Sequence, residues 1–227
     1  MEKYEVLVVG RGKLALELLH GLQGSSISGV LPWDERARPE KGRRMVVHAG
    51  SGRELDEVVD FCAAGGEILF ELSTAGSRLP SQPAFPIVVC PNVNMQMLSF
   101  MAMIKQSAGR FKGRDIEITE SHQAAKRTKP GTAVYIARSL GIAEDAIRSI
   151  RDPRTQREIL NIPPEFLDRH AYHEVSIRGG DVHIRLESRV LGKSAYASGF
   201  AEIIRLASTR TLPPGLHDVV DLILDGM

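Results

Sequence analysis

The sequence predicts an α/β protein in which a parallel-sheet domain is joined to a smaller, mixed α+β domain. Three observations carry this. Between residues 5 and 90, short apolar runs alternate with segments of helical period, the pattern of strands linked by crossover helices. Pro91-Asn92 ends that pattern, and a long methionine-rich helix follows from Met95 to Ala108. Beyond it, residues 172–178 and 182–190 alternate with period two and turn at Gly179-Gly180, which reads as an antiparallel hairpin. Residues 1–92 then form the first domain, 93–204 the second, and 205–227 a segment returning to the first.

Each element has its own signal. Val6-Leu7-Val8-Val9 marks a strand over residues 5–9, after which Leu14, Leu18, Leu19 and Leu22 recur at helical spacing. Ile27 to Leu31 is a second strand stopped by Pro32-Trp33-Asp34. The charged stretch on to Gly42, with Pro39 inside it, reads as a surface loop. Met45 to His48 is a third strand, and Leu55, Val58, Val59 and Cys62 trace the next helix. Ile68 to Leu72 and Phe85 to Cys90 complete the series. In the second domain Ile116 to Glu120 is a strand, and Pro130-Gly131-Thr132 opens a helix that ends near Leu140. Residues 142–170 are charged and turn-rich, with a short helix early on and a break at Pro163-Pro164. Ser198 to Ser208 is the last strong helix, followed by a short amphipathic tail.

Twenty-nine basic residues balance twenty-eight acidic ones, and the basic runs Arg36 to Arg44 and Lys126 to Lys129 are short and interrupted. That argues against a nucleic-acid partner, whose readers concentrate a basic face. No apolar run reaches membrane-spanning length, and the run at residues 6–9 is too short for a secretory signal. Cys62 and Cys90 lie in apolar surroundings without metal-ligand spacing, so no metal is expected. They read as reduced core thiols of a cytoplasmic protein that contacts no membrane.

The sharpest local motif is Val9-Gly10-Arg11-Gly12-Lys13-Leu14-Ala15, a Gly-x-Gly-x-x-Ala turn between a strand and a helix. This is the Rossmann-like setting of a dinucleotide fingerprint. Gly10 allows the tight turn, Gly12 lets the backbone approach a pyrophosphate, and Ala15 lets the helix pack closely on the strand. The helix amino terminus favours the phosphates, with Arg11 or Lys13 adding positive charge. Asp34, just past the second strand, suits the adenosine ribose. Arg36 and Arg38 suit an extra phosphate instead, which leaves NADH and NADPH both open. Ser73-Thr74-Ala75-Gly76 and Pro91-Asn92 follow later strands, where open parallel sheets bind ligands. The first reads as a nicotinamide-pocket lining or a polar turn. Asn92 reads as a cleft residue or a cap for the next helix.

The second domain carries Glu120-Ser121-His122-Gln123, Lys126, and then Pro130-Gly131-Thr132-Ala133. His122 and Lys126 are four apart, so one helical turn would set them on the same face. An imidazole and an ammonium beside an anionic substrate can orient it and transfer protons. Gly131 and Thr132, at a helix start, can hold a carboxylate, with Thr132 reading equally well as an ordinary N-cap.

With these residues in place, the chain resembles the dihydrodipicolinate reductase (4-hydroxy-tetrahydrodipicolinate reductase) family, as a shortened and somewhat divergent member. That family carries Glu-x-His-His, a lysine four residues after the first histidine, and Pro-Ser-Gly-Thr-Ala. Here Gln123 stands where the second histidine would be, Thr128 where an aspartate would be, and the serine is absent. Gly10 and Gly12, the 73–76 turn, Pro91-Asn92, Ala197-Ser198-Gly199 and Gly215 to Asp218 with Asp221 extend the resemblance in order along the chain. No clean counterpart of the family's later Gly-Glu-His segment is evident near His173. The resemblance implies an NADH- or NADPH-dependent oxidoreductase that delivers hydride to a cyclic imine dicarboxylate in lysine biosynthesis. It implies Lys126 as proton donor or organiser of developing charge, His122 assisting, and Gln123, Gly131 and Thr132 at the substrate. It implies homotetramers formed through the second domain. Reduction of another carboxylated imine or keto acid stays open, as does a dinucleotide-binding homologue without turnover.

Overall fold

The computed structural model describes residues 3–35, 44–50, 52–73, 78–192 and 195–225. The chain divides into two compact units, Met1–Ser99 with Tyr196–Met227, and Phe100–Ala195.

The first unit is built on β1 (Tyr4–Val9), α1 (Lys13–Gly21), β2 (Ile27–Pro32), β3 (Arg44–His48), α2 (Leu55–Gly65), β4 (Ile68–Glu71) and β5 (Pro86–Val89). The methionine-rich helix α3 (Met95–Ser107) leads into the second unit. Val6 to Val9 are fully buried because a parallel sheet is covered on both faces, which explains an apolar run without alternation. Leu7, Val9, Val46, Leu69 and Ile87 pack with Leu55, Val58 and Cys62 of α2 in one core cluster. The loop read from residues 35 to 42, with Arg36 and Arg38, falls largely outside the described residues, as do Thr74, Ala75 and Gly76.

The second unit follows with β6 (Asp115–His122), α4 (Gly131–Leu140), β7 (Arg148–Ile150), α5 (Pro153–Glu158), β8 (His170–Gly179) and β9 (Val182–Leu191). Its sheet order is β7-β6-β8-β9, with β7 parallel to β6 and the other pairs antiparallel. The mixed sheet and the hairpin match the expectation. The strand expected at 116–120 runs on to His122, because β8 supplies ladder partners as far as Ala171. Strand β7 was not foreseen; three residues are too few to show a period.

The chain then returns to the first unit with α6 (Ala197–Ser208), β10 (Gly215–Asp218) and α7 (Val219–Leu224). β10 adds a sixth parallel strand, giving the order β10-β5-β4-β3-β1-β2, where the sequence showed only an amphipathic tail. The unit boundaries therefore fall at 99/100 and 195/196 rather than at 92 and 204. The reason is where α6 packs. Glu17 of α1 accepts the Tyr196 and Ala197 amides at 2.7 and 3.3 Å, capping the start of α6. Phe200 meets Phe70 of β4 edge-on at 5.3 Å. Gly199 lets α6 come so near the strand-to-helix connection that a Cβ there would stand 2.2 Å from the Val93 carbonyl oxygen.

Candidate active site

Two sets of candidate residues emerge, one in each unit. In the first, Gly10 follows β1 with φ +118°, and a Cβ on it would lie 2.7 Å from the Ala49 carbonyl oxygen. Glycine is therefore required by the protein's own backbone. Gly12 is different. It is the N-cap of α1 in an extended conformation (φ −80°, ψ 175°) and makes no side-chain cap bond. A Cβ there would meet nothing within 4 Å among the described residues. Lys13 and Leu14 begin α1, and Ala15 is fully buried as close helix–strand packing demands. Asp34 lies in a short 3-10 turn after β2, where its carboxylate accepts from Arg11 at 2.9 Å in an exposed pair.

The carboxyl ends of β3 and β4 are tied together by a buried pair. His48 Nδ1 and Glu71 Oε2 are 2.7 Å apart, and Glu71 Oε1 accepts the Ser73 amide at 2.7 Å. Glu71 thus fixes the Ser73 amide just past β4. After β5, Asn92 Oδ1 accepts the Asn94 amide at 2.8 Å, and Asn94 Oδ1 accepts the Met97 amide at 3.0 Å. The cap of α3 is therefore Asn94, and Asn92 shapes the turn before it.

In the second unit the site is organised around Glu120, which is fully buried on β6. His122 Nδ1 lies 2.9 Å from Glu120 Oε2. Arg151, immediately after β7, donates to both carboxylate oxygens, at 2.6 Å to Oε1 and 3.1 Å to Oε2. Its Nε donates to the Lys126 carbonyl at 2.9 Å. Across the ladder Glu120 pairs with His173, whose ring sits 5.6 Å from that of His122 at 75°. His173 is buried, and neither ring nitrogen has a hydrogen-bond partner among the described residues. Beneath His122, Gln156 donates to the His122 carbonyl at 2.8 Å and to Ser121 Oγ at 3.1 Å, and Ser121 Oγ contacts His170 Nε2 at 3.0 Å.

These contacts fix protonation. Burial alone would raise the Glu120 carboxyl, but hydrogen bonds from His122, Arg151 and Ser149 outweigh it and hold the group near about 2. An ionised carboxylate only accepts, so His122 carries its proton on Nδ1 and presents a lone pair on Nε2. Burial lowers His122 below the ordinary histidine range, partly offset by Glu120. Burial also lowers Lys126, with Glu120 opposing and Arg151 reinforcing the shift. The arrangement offers a neutral imidazole and an acidified ammonium beside one fixed anion, which is equipment for proton transfer.

His122 and Lys126 share this site, but not through a helical turn. His122 ends β6, and Lys126 sits in a hydrogen-bonded turn whose amide reaches the Gln123 carbonyl at 2.9 Å. Strand pairing to β8 overrode the helical spacing. Thr132 is not the N-cap either. Pro130 holds that position, which puts Gly131 and a buried Thr132 in the first turn of α4. Sequence reading missed Arg151, Gln156 and the contact made by His173. An imidazole on the same strand face as Val175 and Ile177 was the available clue for His173. Asp152-Pro153, which caps and starts α5 with Thr155 as donor at 2.7 Å, was the clue for a fixed Arg151.

A parallel doubly wound sheet opened by a glycine turn, joined to a mixed-sheet unit with an ion-paired polar cluster, defines a Rossmann-like two-unit protein. A family profile described as dihydrodipicolinate reductase, C-terminus, matches residues 96–223, more than half of the chain. The chain belongs to the dihydrodipicolinate reductase family. It is 31% identical over 157 residues to 4-hydroxy-tetrahydrodipicolinate reductase 1, chloroplastic, of Arabidopsis thaliana, covering 61% of this chain and 44% of that protein. To the 4-hydroxy-tetrahydrodipicolinate reductase of Rickettsia akari it is 32% identical over 121 residues, covering 50% of this chain and 48% of that one. The chain thus spans about half the length of these relatives. The fold is similar to that of dipicolinate-bound dihydrodipicolinate reductase from Paenisporosarcina sp. TG-14, with a TM-score of 0.61, 15% identity, and coverage of 95% of this chain and 97% of that one. No helix among the described residues is long and apolar enough to cross a membrane.

The buried histidine gives a signed pH prediction. Burial, reinforced by the neighbouring His122 and Lys126 and opposed by Glu120, lowers His173 from 6.5 to about 3. The unfolded chain takes up this proton near pH 6.5 and the folded chain only near pH 3, so stability is full above 6.5 and falls as pH drops through that window. One such group contributes a slope of about 1.4 kcal/mol per pH unit. Denaturant unfolding of wild type and His173→Gln between pH 7.5 and 4.5 should show a shallower acid slope in the variant. Parallel curves would mean that His173 is protonated in the folded state.

Proposed function

We propose that the chain is an NAD(P)H-dependent reductase of a cyclic imine dicarboxylate, 4-hydroxy-tetrahydrodipicolinate reductase in lysine biosynthesis. Family membership supports the reading. The observation that carries it is the ionised Glu120 with His122 and Lys126 beside it at the end of β6. Lys126 donates the proton or stabilises developing negative charge, and His122 assists. Gln123, Gly131 and Thr132 hold a substrate carboxylate at the amino end of α4, where the helix dipole favours an anion. Bound NADH or NADPH supplies the hydride. Gln123 and Thr128, where the family pattern has histidine and aspartate, favour a second reading in which the substrate is another carboxylated imine or keto acid.

The glycine turn fits such a cofactor. Gly10 is required internally, whereas nothing described in the protein requires glycine at position 12. A pyrophosphate approaching the start of α1 does require it. Arg11, Lys13 and Leu14 line that approach, Asp34 accepts from the adenosine ribose, and residues 73–76 with Pro91 and Asn92 bound the nicotinamide side. Both cysteines are buried and unpaired, as suits a reducing cytoplasm.

The second unit mediates homo-oligomers, with tetramers as the expected form. β9 is an edge strand with Val182, Ile184 and Leu191 exposed, an aggregation liability unless covered. Light scattering should give a multimer, and Ile184→Lys with Val182→Lys should shift it toward monomer. A monomeric wild type would refute this assembly.

Gly12→Val should keep the fold and melting temperature but weaken dinucleotide binding at least about tenfold, since a side chain blocks the phosphates. In the same calorimetric titrations Asp34→Ala should harm NADH binding more than NADPH binding. Unchanged affinity in folded Gly12→Val would remove the pocket from consideration.

With saturating cofactor, Lys126→Met should bind dinucleotide normally but lose about a hundredfold or more in kcat on 4-hydroxy-tetrahydrodipicolinate. His122→Gln should lose less and shift the pH profile. Near-wild-type turnover by Lys126→Met would end its assigned role. Turnover only on other carboxylated imines or keto acids would select the second reading, and dinucleotide binding without any turnover a silent homologue.

A further inference from the structure

We propose that Arg151 is a positioning residue that holds His122 and Lys126 in register with each other, acting through the Glu120 carboxylate on one and through a main-chain carbonyl on the other. The proposal rests on the reading of His122 and Lys126 as the proton-transfer pair. One guanidinium makes all the connections. Its two terminal nitrogens fork onto the carboxylate at 2.6 and 3.1 Å, one of them also donates to the Ile150 carbonyl at 3.0 Å, and Nε holds the Lys126 carbonyl at 2.9 Å.

The guanidinium is itself fixed from both sides. Ile150, the residue before it, pairs in parallel with Ser121 of β6, and Asp152, the residue after it, caps α5. Displacement of Arg151 therefore moves the Lys126 turn and frees the anion that orients His122. The charged and titratable groups facing His122 are Glu120 on its own strand, His173 on β8, Lys126 in the following turn, and Arg151 beyond β7. Together with His122 and Ser149, Arg151 keeps Glu120 an acceptor. Without it, His122 becomes the main counter-charge of a buried carboxylate and binds its own proton more tightly. A lysine could return the charge but not the planar fork, and one ammonium cannot span Glu120 and the Lys126 carbonyl as Arg151 does.

The test uses Arg151→Ala and Arg151→Lys in the full chain, with folding checked by thermal melts and dinucleotide binding. Histidine nitrogen NMR reads His122 without turnover. Wild type should carry the proton on Nδ1 at neutral pH, and Arg151→Ala should raise the His122 midpoint by about one pH unit or more. Arg151→Lys should leave that midpoint near wild type. In turnover, both variants should lose at least about tenfold in kcat with an unchanged KM for the dinucleotide, and added guanidinium should restore part of the loss in Arg151→Ala only. An unshifted His122 with wild-type kcat in folded Arg151→Ala would overturn the proposal. Should Arg151→Ala not fold, wild-type kcat in Arg151→Lys would overturn it, and lowered kcat with a normal His122 midpoint would support it. If wild type turns over no substrate, the failure lies with the proposed activity, and the NMR midpoint decides the role of Arg151 alone.

Discussion

A carboxylate sealed from water has to be matched from every side, and Glu120 imposes that demand on the whole second unit. Burying such an anion costs several kcal/mol unless charge and hydrogen bonds compensate. Arg151 and His122 supply the compensation, and Ser149 adds a further hydrogen bond. The compensation sets the architecture around it. β7 has to lie beside β6 for Ser149 and Arg151 to reach the carboxylate, and α5 has to start immediately after, which Asp152-Pro153 ensures. Because Glu120 stays an acceptor, the tautomer of His122 is decided as well.

The first unit solves a different problem with the same economy of parts. Its inner strands are covered on both faces, so polar side chains gather at the strand ends, with Arg44, Glu5 and Glu67 at the amino ends and His48 with Glu71 at the carboxyl ends. At the carboxyl ends Glu71 joins two strands through His48 and accepts the Ser73 amide. Gly10 and Gly12 look equivalent in the sequence but are glycines for different reasons. One avoids the Ala49 carbonyl, and the other has open space where its side chain would be. Gly199 belongs with Gly10, since it lets a helix from the end of the chain close over the connection after β5. Return of the carboxyl-terminal segment to this unit follows from that close approach and from Glu17 capping α6 across the sequence.

Much of this was legible beforehand, and the omissions share a cause. The five strands of the first sheet up to Val89, both long helices of the second unit's entrance and the 170–191 hairpin all announced themselves by period or by turn residues. β7 and β10 did not, because Arg148-Ser149-Ile150 and Gly215 to Asp218 mix polar with apolar residues, whereas the equally short β4 and β5 carry continuous apolar runs. His122 and Lys126 were found as a pair, but their four-residue spacing suggested a helical turn where the chain makes a strand end and a turn. Arg151 was invisible, since its carboxylate partner lies 31 positions earlier.

The sequence by itself determined the alternation of strands and helices, the glycine turn after the first strand, and the presence of imidazole, ammonium and carboxylate in one short segment. These are local properties, written in the spacing of apolar side chains and in the backbone freedom of glycine. Tertiary structure decided which of those charges are paired, which nitrogen of His122 carries the proton, and that His173 stands beside it with no hydrogen-bond partner among the described residues. It also decided that α6 belongs with the first unit. The physical reason is that burial and strand register bring together groups far apart in the chain. Protonation and orientation are set by such neighbours, which no local pattern of residues encodes.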